Sequence, residues 1–246
     1  MNWKLNKTTL LKTFFLSLLC LHPALSLPLV QAQEMTSGRE LQAVIPPVGE
    51  NPGRRESAGV RGACLPPNQS LTVLVPENQV TLTTSLYPTF FFYLPATKAQ
   101  EALFVLYDEN EREIYKSIFS IKEMSGLLEL SIPDKVTSPK LEPGKNYYWQ
   151  FSLFCDPKNP SLDPFVDGWV QRVSLTEDIS NNLATASDSE KVDIYAAAGI
   201  WQDALTTLAD LRQNNPNDRN LENQWNQLLE NIGLEKIAQE PMIPSR

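Results

Sequence analysis

The chain has one histidine, His22, and three cysteines, Cys20, Cys64 and Cys155. His22 and Cys20 fall in an N-terminal stretch with the marks of a secretory signal. Lys4, Lys7 and Lys12 give it a basic start, "LLKTFFLSLLCLHPALSLPLV" follows, and "VQA" ends on the small residue Ala32. That order predicts a signal peptide over residues 1–32, with cleavage after Ala32 and a periplasmic or secreted product. The alternative is a retained membrane anchor, but the apolar run Phe14–Leu21 is short for a span and is broken by His22 and Pro23. Leu19 stands before Cys20 where a lipoprotein signal needs a small residue. The processed chain then holds no histidine. That excludes imidazole acid–base chemistry and the His-containing zinc and iron sites.

Basic charge is also scarce. Residues 1–32 remove three lysines and no acids from 21 basic and 29 acidic side chains, leaving a net charge near −11. Such a surface repels nucleic acid and anionic lipid. No later hydrophobic run is long enough to cross a bilayer, so no stable span is expected after cleavage. Cys64 and Cys155 remain. In an oxidising compartment an isolated pair is most simply a disulfide, with two buried free thiols as the alternative.

Residues 33–68 hold five of the ten glycines and five prolines and read as a flexible leader. Arg54, Arg55 and Arg61 form a small basic cluster in it, either a solvated linker or a tether to an acidic partner or to the domain's own surface. Residues 69–176 read as β. "VTLTTSL" alternates Val80, Leu82, Thr84 and Leu86 on an expected buried face against Thr81, Thr83 and Ser85 on a wet one. "TFFFYL" and "ALFVLY" are apolar on both faces. "DENE" (108–111) is the turn of a hairpin, which disfavours reading Asp108, Glu109 and Glu111 as a glycosidase carboxylate pair. About eight short strands with Pro and Gly turns predict an antiparallel β-sandwich of immunoglobulin or fibronectin type III kind.

Within it, "LEPGKNYYWQFSLFCDP" places Leu141, Pro143, Gly144 and Tyr147 in an L-x-P-G-x-x-Y pattern. This resembles the tyrosine corner of fibronectin type III domains, where the ring packs inward and the hydroxyl bonds the turn backbone. Period two puts Tyr147, Trp149, Phe151, Leu153 and Cys155 on one face, read as core, and Tyr148 and Phe154 on the other. Eight residues separate Tyr147 from Cys155, so the bridge belongs at the strand's far end. Asp156, Asp163 and Asp167 lack EF-hand spacing and read as turn chemistry rather than a calcium site.

Residues 176–186 read as a linker, 187–234 as helical and 235–246 as a tail. "SEKVDIYAAAGIWQDALTTLADLRQNNPND" resembles a tetratricopeptide repeat: Tyr195, Gly199, Trp201, Ala204, Leu208 and Pro216 stand at the expected positions, with Leu211 where a small residue is usual. A capping helix follows, with Leu221, Trp225, Leu228 and Leu229 on one stripe. One repeat cannot bury its own apolar face, so this hairpin is expected to dock on the sandwich, on the third helix or on a partner.

Five blocks in order, "RGAC", "YPTFFFYLP", "FSLFCDP", "DGWVQRV" and "YAAAGIWQDALTTLADLRQNNPND", resemble domain-of-unknown-function family 928, found mainly in cyanobacteria, over about residues 61–240. The resemblance implies a periplasmic or envelope setting and supplies no activity, cofactor or catalytic residue. The expected function is therefore a non-enzymatic binding or scaffold module for another envelope or secreted protein, with no cofactor. The alternatives are a carbohydrate or cell-wall binder using exposed aromatics such as Tyr148 or Phe154, and an enzyme built on carboxylates or Ser-Lys.

Overall fold

The computed structural model describes residues 53–57, 64–77, 80–135, 137–156 and 158–243. The signal, most of the leader and Arg61 lie outside them. Among the described residues, strands β1 (Gly53–Arg54), β2 (Thr72–Val73), β3 (Thr81–Thr83), β4 (Thr89–Leu94), β5 (Glu101–Tyr107), β6 (Glu113–Ser120), β7 (Gly126–Ser131), β8 (Asn146–Leu153) and β9 (Phe165–Arg172) precede four helices. These are α1 (Glu177–Thr185), α2 (Asp188–Ala197), α3 (Trp201–Asn214) and α4 (Arg219–Glu230). The larger sheet runs β1-β9-β8-β5-β6, with β3 also on β9; the smaller runs β2-β4-β7. Every strand pair is antiparallel except β3 with β9.

Aromatic residues at alternate positions join the sheets. Phe92 of β4 stacks on Phe151 of β8 at 4.2 Å, and Phe90 lies 5.6 Å from Trp149 and 5.0 Å from Phe104. Each such pair contributes about 0.5–1.5 kcal/mol beyond its buried area. The expected core face of β8 is thus the observed one. Phe91, between these residues, points the other way and meets Trp225 of α4 at 6.5 Å. The helices therefore form a third layer on the outer face of the smaller sheet.

Two devices hold that layer. The Trp201 indole Nε1 donates to the Leu74 carbonyl at 2.8 Å. Asp203, two residues on, accepts from the Thr83 hydroxyl at 2.7 Å and from the backbone N–H and hydroxyl of Thr84. This network corrects the expectation for "VTLTTSL". Thr81 and Thr83 are buried, while Leu82 is half-buried and Leu86 is exposed. The alternation is present with its faces exchanged, because each buried hydroxyl has an acceptor: Thr81 donates to the Trp169 carbonyl at 3.0 Å, Thr83 to Asp203.

The segment read as a linker contains α1. Thr176 caps it by accepting from the Ile179 N–H, and Glu177 and Asp178 occupy its first turn. In α2, Ser187 and Glu190 form a reciprocal capping box. Gly199 takes φ +72° between α2 and α3, a conformation costly for residues bearing Cβ. Ala204, Leu205, Leu208 and Ala209 of α3 are buried, as is the stripe Leu221, Trp225, Leu228 and Leu229 of α4. Tyr195 is half-buried, and Pro216 stands exposed just past α3. The tail is partly structured: Leu127 at the β7 edge donates to the Pro241 carbonyl, and Ile243 donates back to Leu127, both at 2.8 Å.

Glu129 of β7 sits opposite Phe91, on the face that meets the helices. Burial, then the negative Asp210 of α3, raises its carboxyl above the ordinary range; burial raises Asp210 too. A raised acid binds its proton more tightly folded than unfolded, so its stabilising contribution is present at low pH and lost as pH rises through the raised value. Glu129→Gln is expected to raise the urea midpoint at pH 7. The gain should vanish below about pH 4, where the unfolded carboxyl is also protonated. A midpoint that falls at pH 7 would show that the carboxylate is stabilised instead.

Candidate functional site

Tyr147 enters β8 as the corner pattern anticipates. The Glu142 backbone N–H donates to its hydroxyl oxygen at 2.9 Å, Leu141 is buried, and the Gly144 N–H donates to the Arg172 carbonyl at 2.6 Å. Tyr147→Phe is expected to cost about 1–2 kcal/mol by leaving that N–H without its acceptor, read from denaturant midpoints at unchanged m-value. At the far end Cys155 pairs with Cys64, Cα atoms 5.4 Å apart. These residues build the frame. The hairpin residues Trp201 and Ala204 are likewise spent on packing within the chain.

The Asp residues weighed for calcium are committed elsewhere. Asp163, before β9, accepts from the Cys155 N–H at 2.8 Å, and Asp167, within β9, accepts from the Tyr148 hydroxyl and the Arg54 N–H. Among the described residues, no group of three or more potential ligands is gathered. Asp108 is held by Arg112 at the hairpin tip, at 2.5 and 2.8 Å.

The arrangement that remains is at the edge of β9. β1 covers Asp167 and Gly168, β3 covers Val170 to Arg172, and Trp169 falls at the break between them. A cleft of about 430 Å³ opens there, its walls including Arg54, Arg55, Glu77, Trp149, Asp167 and Trp169. A second, of about 490 Å³, shares Arg55, Pro76, Glu77 and Thr81 and extends to Gly199 and Ile232 at the ends of the helices. Arg55 stands at the shared wall. It donates to the Ile232 carbonyl at 2.7 Å and pairs with Glu77 at 2.6 Å.

Three donors on the walls of the first cleft lack a protein acceptor. The indole N–H groups of Trp149 and Trp169 and the Nε–H of Arg55 are buried with no acceptor among protein atoms. By contrast, Trp201 and Trp225 bond the carbonyls of Leu74 and Ala238. Gly168 lets the Trp149 edge approach, since a Cβ there would lie 2.8 Å from the ring and 3.5 Å from its nitrogen. The carboxylate of Asp167 is occupied: it accepts from Tyr148 Oη at 2.5 Å and from the Arg54 N–H at 2.8 Å. Burial first, then this carboxylate, pushes the Tyr148 hydroxyl well above its ordinary range, so it stays a donor. The Arg54 guanidinium lies over the Phe165 ring, 4.4 Å from its centroid. Chemically the cleft is suited to hold hydrogen-bond acceptors.

Sequence reasoning saw Arg54 and Arg55 only as a leader cluster and did not single out Trp169. "DGW" at 167–169, a glycine between an acid and a large aromatic in a strand, was the available signal.

These features define a β-rich domain of mainly antiparallel sheets followed by four helices. A family model described as Domain of Unknown Function (DUF928) matches residues 56–242, and the chain belongs to that family. Comparison with curated proteins found no match.

Proposed function

We propose that this is an exported, non-enzymatic binding protein of the bacterial envelope that engages another exported protein through the cleft at the β9 edge. The carrying observation is the set of buried N–H donors of Trp149, Trp169 and Arg55 without protein acceptors, gathered at one break in a sheet edge. Buried donors are costly without partners, and native proteins retain few of them. A peptide carries a carbonyl acceptor at every residue, and so complements a cleft walled by donors. The strand order supports an immunoglobulin or fibronectin type III-like sandwich: four antiparallel strands β6-β5-β8-β9, a parallel edge strand β3, and β2-β4-β7 opposite. A tetratricopeptide-like reading of α2 and α3 fits the turn at Gly199 and the buried Ala204. The N-terminal signal pattern and the disulfide support export, and the family resemblance implies a cyanobacterial setting.

The carbohydrate reading was tied to Tyr148 and Phe154 as an exposed platform, and both are buried. The hydrolase reading was tied to carboxylates that lie at a hairpin tip. The non-enzymatic reading rests on the lack of histidine after residue 32 and on Glu77 and Asp167 being held by Arg55 and Tyr148.

A photo-cross-linking residue in place of Glu77, on the cleft wall, tests this in envelope preparations. Glu123, with 85% of its side chain exposed and outside the cleft lining, is the control site. One discrete protein adduct at position 77 and none at 123 is the expected outcome. Equal labelling at both positions, or none at 77, counts against the reading.

A further inference from the structure

The turn between α3 and α4 and the C-terminal tail border a second kind of cleft, of about 480 Å³. That is within the range of about 300–1,000 Å³ that small ligands occupy. Its lining includes Ala209 and Arg212 of α3, Asp218 and Glu222 at the start of α4, and Met242 and Ile243 of the tail. It shares no lining residue with the cleft at the β9 edge.

Most of these walls have a structural reason. Ala209 and Arg212 stand three apart on α3 and so share a face. Asp218 caps α4 by accepting from the Asn220 N–H at 2.8 Å, and Glu222 lies in the first turn. The tail is held on β7 by the bonds of Leu127 with Pro241 and Ile243.

Arg212 is not accounted for in this way. The half-buried Arg55 pairs with Glu77, and the half-buried Arg172 donates to the carbonyls of Thr84 and Leu141. Arg212 is half-buried too, yet among the described residues no ion pair includes it. Its Nη1 is buried with no acceptor. The guanidinium lies over the Trp225 ring, 4.5 Å from its centroid, which holds the cation in place without accepting a hydrogen bond from it in the ring plane. Burial weakens its hold on the proton, and the negative Glu222 opposes this without pairing. A guanidinium stays charged in proteins, and a partly desolvated cation with no anion is costly.

A carboxylate matches the planar fork of a guanidinium. A carboxylate alone, however, would face Asp218 and Glu222 in the same cleft, two acids against one base. A ligand that also carries an ammonium satisfies both signs. One Asp218 oxygen is already taken by Asn220, so Glu222, which is exposed, is the freer acid. Arg212 and Glu222 feel each other's charge without pairing, and the single carbon between the charges of an α-amino acid suits such a gap. Ala209, Met242 and Ile243 add an apolar side.

We propose that this cleft binds a free α-amino acid with an apolar side chain. The carboxylate sits on Arg212, the ammonium toward Glu222, and the side chain against Ala209, Met242 and Ile243. The site is independent of what the β9-edge cleft engages.

The test is an NMR titration of residues 33–246, the chain left by the expected cleavage, with L-leucine, L-methionine and L-phenylalanine. It is read at the indole N–H of Trp225, beneath Arg212. At least one of the three should bind saturably at one site. Its C-terminal amide, which lacks the carboxylate, and its N-acetyl form, which lacks the ammonium, should each bind about tenfold or more weakly. Arg212→Gln should weaken the free amino acid by a similar factor. Because Arg212 also covers Trp225, Glu222→Gln is the second variant. It should weaken the free amino acid and leave the N-acetyl form unchanged, whereas a merely structural role would move both alike. A chain ending at Ile243 should bind as the longer one does. No saturable shift with any of the three, an N-acetyl form that binds as tightly as the free amino acid, or binding confined to the shorter chain would each overturn the proposal.

Discussion

Trp201→Ala is expected to detach the helical layer before the sheets unfold. The side chain is 7% exposed at the start of α3, and its indole bonds the Leu74 carbonyl. Truncating a buried tryptophan costs about 3–5 kcal/mol in transfer and cavity terms. The Leu74 carbonyl left behind adds about 1–3 kcal/mol if water does not reach it. The remaining anchors are Asp203 on β3, Phe91 against Trp225, the Arg55 bond to the Ile232 carbonyl and the tail on β7, which hold the layer's edges while the start of α3 comes loose. In a denaturant titration the helical circular dichroism signal should fall well before the aromatic signals of Trp149 and Trp169, splitting one transition into two. Trp201→Phe keeps most of the ring but not the donor, so it should lose only the hydrogen-bond share. If Trp201→Ala keeps a single transition at the original midpoint and instead loses the partner cross-linked at position 77, the hairpin is an interface and not an anchored layer.

The helical layer shows what the sequence made legible. The pattern of Tyr195, Gly199, Trp201 and Ala204 set out two helices meeting at a glycine turn, and α2 and α3 lie on either side of Gly199. The stripe in α4 was equally plain, because a 3.6-residue period over three turns has few rivals. β4, β5, β6 and β8 were readable for the same reason, with strong apolar or alternating runs between turn residues. Three things were not readable. The pattern in "VTLTTSL" assigned faces by hydropathy alone, and hydropathy does not know that Asp203, 120 residues away, turns Thr83 into a buried donor with a partner. α1 has only Leu183 buried, so its N-cap Thr176 and the acidic first turn at Glu177 and Asp178 were the sole signal. β1 is two residues long and exists because β9 offers it an edge, and no local pattern encodes that.

The cleft was hidden for a related reason. Its donors come from β8, β9 and the residue that follows β1, far apart in sequence, and each has a structural reading when taken alone. Trp149 reads as core, Trp169 as a strand aromatic and Arg55 as a solvated linker charge. What makes them a site is a shortage of acceptors where they meet, and that shortage exists only once β1 and β3 have taken their places on the two ends of β9.

Removing the Cys64–Cys155 bridge, by the double serine variant, is expected to cost about 4–5 kcal/mol on the chain-entropy account, because the bridge closes a loop with a sequence separation of 91. For a domain of this size that is a fall of roughly 10 °C or more in the thermal midpoint. The native structure itself should change little. The Cys64 carbonyl already accepts from the Lys98 N–H at 3.1 Å and the Thr97 hydroxyl at 3.2 Å, and the Cys155 N–H is held by Asp163. Both ends are thus positioned by hydrogen bonds that survive the substitution. The bridge acts mainly on the unfolded chain, by keeping the start of the folded domain near the end of β8 before β8 has paired. Near-UV circular dichroism of the folded serine variant should therefore overlay that of the parent while its midpoint drops. Parent protein measured in reductant should match the variant. A variant with the parent's midpoint would place the stabilisation in the noncovalent contacts of Asp163 and Thr97 alone. A variant with an altered native spectrum would mean that the bridge shapes the folded state as well.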